Sequence, residues 1–69
     1  MGDDKMNYYT YNGPVANNFG QIITNKWIGE TYANTDKKAA SNLNYQFKKQ
    51  FGLLQTAKVK LLKEPIKEV

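Results

Sequence analysis

The sequence predicts an α+β domain: a small three- to four-stranded, mainly antiparallel sheet with one helix packed on one face, in the order β-β-β-α-β. Three observations carry that expectation. Residues 35–52, TDKKAASNLNYQFKKQFG, place apolar side chains at three- and four-residue intervals between a capping residue and a glycine. Residues 57–61 alternate apolar side chains with lysine. Much of the first half is rich in aromatic and β-branched residues, in short runs that suit strands.

Residues 1–5 resemble an added leader and are set apart from the fold. The domain is expected over residues 6–64, with 65–69 a loose tail after Pro65. Residues 7–11, NYYTY, read as the first strand. Asn12-Gly13-Pro14 is a strand-breaking signal, and residues 15–18 are expected as a loop. A hairpin follows, with strands at 21–24 and 27–33 about a tight turn at Thr24-Asn25-Lys26-Trp27. Phe19, Ile22, Ile23 and Trp27 also fall at helical spacing, so residues 19–26 admit helix as well as strand. In the second strand Trp27, Gly29, Thr31 and Ala33 share one face and Ile28, Glu30 and Tyr32 the other. The Trp27 face is expected to be buried, because an indole has the most apolar surface to remove from water. Gly29 beneath it leaves room for the ring or for the helix.

The helix is expected over residues 36–51. Thr35 or Asp36 supplies the N-cap oxygen, and Asp36 complements the positive end of the dipole. Ala39, Ala40, Leu43, Phe47 and Phe51 line its inner face. Lys48 and Lys49 suit the last turn, and Gly52 the C-terminal cap. Two alanines let the helix begin close to the sheet; two phenylalanines fill the space as it diverges.

Sixty-nine residues make one domain. A chain this short buries only about 60% of its unfolded surface, so its stability is marginal. It has no cysteine and no histidine, which removes disulfides, thiolate metal ligands and the commonest general bases and nucleophiles. Ser41, the only serine, lies mid-helix with no base beside it. Glu30 and Asp36 are the only carboxylates placed to form an acid pair, and Asp36 is accounted for as a cap. There is no phosphate loop and no nucleotide fingerprint. The expectation is therefore a protein that is not an enzyme and uses no cofactor, metal or small-molecule ligand. No apolar run approaches a membrane span, and the lack of cysteine fits a cytoplasmic location.

All ten basic residues are lysine and the net charge is +4. From Lys26 to Lys60 seven lysines face two carboxylates, a local charge of +5 that attracts polyanions. The lack of arginine favours phosphate contact over base reading, since bidentate guanine contacts are mostly made by arginine. Lys38, Asn42, Tyr45 and Lys49 fall on one helix stripe, with Gln46 and Lys48 adjacent. Lys58 and Lys60 on the last strand extend that patch or guard an edge against aggregation. The candidate nucleic-acid-binding residues are thus Lys37, Lys38, Asn42, Tyr45, Lys48, Lys49, Lys58 and Lys60. The competing explanation is an ordinary solvated face made basic by composition.

At TDKKAASNLNYQFKKQFG, with WIGETYA upstream and TAKVKLL downstream, the chain resembles a family of small uncharacterised proteins encoded by phages and integrative elements of Firmicutes. The resemblance spans Tyr8 to about Ile66. It implies a bacterial, intracellular, mobile-element setting and no particular activity. Lys37, Lys38 and Ala39 are also similar to the start of the last helix of double-stranded-RNA-binding domains, although the first helix of that domain has no counterpart here. Strand-strand-strand-helix units occur as DNA-binding heads of some mobile-element integrases, a likeness of shape alone.

Two functions follow as expectations. The first is a non-catalytic module that binds DNA or RNA through backbone phosphates. The alternative is a protein-interaction module, either a homodimer or an accessory protein acting on a host factor, suggested by the exposed tyrosines among Tyr8, Tyr9 and Tyr11 and by unpaired strand edges.

Overall fold

The computed structural model describes residues 6–54 and 56–68. The chain forms two long strands, β1 (Asn7–Asn17) and β2 (Ile22–Ala33), a helix α1 (Asp36–Gln50), and two short strands, β3 (Val59–Leu61) and β4 (Ile66–Glu68). All pairings are antiparallel and every one involves β1, which has β2 on one side and both β3 and β4 on the other. The sheet is four-stranded and α1 packs on one of its faces, so the α+β class is as expected. Two strands precede the helix and two follow it.

The first half differs from expectation in how far each strand runs. Residues 12–14 do not end β1, and Val15, Ala16 and Asn17 belong to the strand rather than to a loop. Pro14 has no N–H to give to a ladder, and it sits where the β1–β2 register shifts between Gly13 and Val15. Its carbonyl is still used, accepting from the Leu62 N–H at 3.3 Å and from the Tyr11 hydroxyl at 2.5 Å.

The expected hairpin of residues 21–24 and 27–33 is one continuous strand. The turn-like residues Thr24 to Lys26 are taken up as an irregularity opposite β1. The Thr24 hydroxyl serves both sides of it, donating to Lys26 O at 3.2 Å and accepting from Lys26 N at 3.4 Å. The true reversal is at residues 18–21. There the Asn17 side-chain oxygen accepts from the Phe19 and Gln21 N–H groups at 2.8 and 3.0 Å, and Gly20 adopts φ +84°. The long axis of the molecule, 40 Å, matches the length of this twelve-residue strand at about 3.3 Å per residue.

The helix forms as its sequence dictates. Thr35 is the N-cap, its hydroxyl accepting from the Lys38 N–H at 3.1 Å. At the other end Leu53 N bonds Lys48 O at 2.8 Å and Gly52 N bonds Lys49 O at 3.4 Å, with Gly52 at φ +68°. That pair of bonds is the Schellman arrangement, and it needs a residue that tolerates positive φ.

The core divides along the helix. Near its start Ala39 meets Tyr9 and Ala33, small side chains allowing close approach. Further on Leu43 and Phe47 pack with Tyr11, Val15 and Trp27, and Leu53, Val59 and Leu61 close the margin. Phe51 was expected inside; it is the C-cap residue and is partly exposed, stacked on Phe47 with ring centres 4.2 Å apart. Leu54, next to the half-buried Leu53, is exposed.

The C-terminal residues correct a further expectation. The segment after Pro65 is not a loose tail: Ile66–Glu68 pair with Thr10, Tyr9 and Tyr8. β3 and β4 thus lie end to end along β1, with residues 62–65 bowed out between them. Tyr11 occupies that gap, its hydroxyl accepting from the Leu62 and Lys63 N–H groups at 3.1 and 3.2 Å. The backbone donors lost from the ladder are met by a side chain from the centre of the sheet. Residues 1–5, read as a leader, lie outside the described residues.

Candidate nucleic-acid interface

At 100° per residue, α1 turns Leu43 and Phe47 into the sheet and sets Tyr45 nearly opposite them, on the outer crest. Lys48 and Lys49, one turn on, fall on either side of that crest. They are in the last turn, where positive charge complements the negative end of the helix dipole. Tyr45 is 48% exposed on this crest. Tyr45, Lys48, Lys49, Gly52 and Leu53 line a hollow of about 250 Å³.

Lys48 also borders a second hollow, of about 580 Å³, with Asn44, Thr56, Ala57, Lys58 and Val59. The bend after the helix carries Lys58 across to this side. The structure thus brings Tyr45, Lys48, Lys49 and Lys58 into one neighbourhood. Asn44 and Thr56, which line the second hollow, were not singled out in the sequence. Asn44 Oδ1 is buried without a hydrogen-bond partner among the described residues.

The other candidates are placed elsewhere. Lys37 and Lys38 are exposed in the first turn, about 16 Å from Lys48 and Lys49 along the axis. There they oppose the dipole, partly offset by Asp36, whose carboxylate accepts from the Tyr9 hydroxyl at 2.8 Å. Lys60 pairs with Ala16, next to the Val15–Leu61 pair that faces the helix, and so points to the opposite face of the sheet.

Asn42 is turned to β2, where its amide donates to Thr31 Oγ1 at 3.2 Å and Tyr32 O at 3.3 Å. It is one rung of a ladder. Gln46 Nε2 donates to Glu30 O at 2.9 Å, and Gln50 Oε1 accepts from Trp27 Nε1 at 3.1 Å. Amides at i, i+4 and i+8 therefore engage β2 along the flank away from β1. The signal was present as three amides at one helical spacing, but a surface amide is also common on a solvated face.

Among the described residues there is no group of three or more acidic, histidine or cysteine side chains that could hold a metal ion. No described helix is long and apolar enough to cross a membrane. Comparison with family models, with curated proteins and with solved structures finds no match.

Proposed function

We propose that this chain is a small non-catalytic module that binds nucleic acid through its phosphates, using the C-terminal half of α1 and Lys58. One observation carries the reading: Tyr45 stands on the crest of the helix between Lys48 and Lys49, with Lys58 reached across a shared hollow. Lysine supplies a mobile point charge that neutralises phosphate without demanding one geometry. An exposed tyrosine ring offers a surface on which a base stacks whatever its identity. The absence of arginine agrees with recognition by charge and stacking rather than by base edges. Lys37 and Lys38 extend the cationic face to a second phosphate contact further along the helix, while Asn42 is committed to β2 and Lys60 to the other side.

Fluorescence anisotropy with labelled duplex DNA, single-stranded DNA and duplex RNA tests this reading. With about three phosphate contacts, affinity falls roughly 40-fold between about 50 and 200 mM salt. Lys49→Gln and Lys58→Gln together weaken binding and flatten that salt dependence by about two contacts. Absence of binding at low salt, or an affinity indifferent to salt, would refute it.

A further inference from the structure

The face of the sheet turned away from α1 gathers apolar side chains around two carboxylates. Its rows follow from the register: Tyr32, Tyr8 and Glu68 across the end of the sheet, then Glu30, Thr10 and Ile66, then Ile28 beside Asn12. Ile28, Tyr32 and Ile66 are 66, 61 and 61% exposed. Among the described residues no element covers this face, so these large apolar side chains stand together in solvent, while others, Phe19 and Leu54 among them, are exposed elsewhere. The two carboxylates are held in place, Glu30 by the Tyr8 hydroxyl and Glu68 by the Thr10 hydroxyl. They lie on a diagonal. Two strand spacings and two residue steps put them roughly 12 Å apart.

We propose that this face docks a cationic amphipathic helix of another protein, with lysine or arginine side chains at i and i+7 meeting Glu30 and Glu68 and with apolar side chains covering Tyr8, Ile28, Tyr32 and Ile66. Charge decides the class of occupant. Phosphates and anionic lipid surfaces are repelled by the two carboxylates. A second copy stacked face to face would bring two further carboxylates and, from the described register, a single cation, Lys60, which lies about 20 Å along β1 from the Thr10 row. A second copy offering α1 would bring lysines, but its apolar stripe is already buried in its own core. Two helical turns span about 10.5 Å, close to the carboxylate diagonal and well within the reach of lysine side chains. This surface is independent of the proposed phosphate site, which lies across the helix on the other side of the sheet.

The test uses the full chain and two labelled helical peptides of identical composition. One carries lysines at i and i+7 on a leucine-rich face; the other carries them on the opposite face. Anisotropy is expected to show the first peptide binding at least about tenfold more tightly than the second. Glu30→Gln with Glu68→Gln, and separately Ile28→Thr with Ile66→Thr, each weaken that binding by about tenfold or more, while Lys49→Gln with Lys58→Gln leaves it unchanged. Circular dichroism of each variant verifies the fold, and the two independent pairs guard against a single variant failing to fold. Equal binding of both peptides, no binding, or indifference to both face variants overturns the proposal. So does sedimentation showing that the chain alone dimerises and that the glutamine pair alters the dimer, which would give the face to a second copy.

Discussion

A methyl group added at Gly29 would lie 2.4 Å from Trp27 Cη2 and within 3 Å of two further atoms of the same ring. The indole lies over the glycine of its own strand, two residues on, and the core is shaped around that overlap. Gly29→Ala must displace a side chain that also contacts Phe47 and Tyr11. Overpacking of this kind costs about 1–3 kcal/mol, and urea denaturation followed by circular dichroism is expected to show that loss. The sequence narrowed this to two readings, room for the ring or for the helix, since the two residues share a strand face and only one has a side chain; the ring takes it.

Tyr8 presents a different residue-scale effect. Its hydrogen bond to Glu30, with desolvation and the charge of Glu30 behind it, pushes its pKa up to about 12 from 10.0. Tyr9 is also raised, first by its bond to Asp36. A raised pKa means that the folded state holds the phenolic proton more tightly than the unfolded one. That contribution is complete below pH 10 and is lost as pH climbs towards 12. Stability of the wild type is therefore expected to fall between those values, and Tyr8→Phe to fall less steeply, in urea titrations at a series of alkaline pH values.

At the scale of elements, the helix was readable because its signals agree with one another. Thr35, the apolar spacing through Leu43 and Phe47, and Gly52 all point to the same segment, and the structure uses each of them. The strands were less readable because long antiparallel pairing overrode local turn chemistry. Asn12-Gly13-Pro14 and Thr24-Asn25-Lys26 are both good turn sequences, yet they fall near one another across the β1–β2 ladder and become bulges in it. No local window contains both. The edge of β2 was illegible for the same reason: its protection comes from Asn42 and Gln46, ten and sixteen residues away from the carbonyls they meet. Replacing both with alanine is expected to cost about 1 kcal/mol for each bond lost. It should also promote association through the uncovered edge, visible as concentration-dependent light scattering.

At the scale of the molecule, the sheet depends on a long-range closure. β4 pairs with the start of β1 across nearly the whole sequence, Tyr8 opposite Glu68. The sequence hid this strand, because Pro65 and a run of charged residues look like an ending. The proline instead sits in the bow between two collinear strands. Removing residues 66–69 should leave the first part of β1 unpaired on one side and lower the thermal midpoint by roughly 5 °C or more, the shift that about 1 kcal/mol produces in a domain this size. The candidate site was half legible on the same grounds. Helical spacing put Tyr45 and Lys49 on one stripe with Lys38 and Asn42 and set Lys48 beside it, whereas the neighbourhood of Lys58 depends on the path of the chain after Gly52.

The molecule has one tryptophan, and it sits at the joint between its two layers. Trp27 meets Phe47 edge-on at 88° and 5.3 Å, and its ring nitrogen holds Gln50. Its emission colour and quenching by added iodide thus become a built-in optical gauge of that joint. A red shift would signal the rod lifting from the pleated layer, and any ligand that tightens or loosens the seam could be followed without attaching a dye.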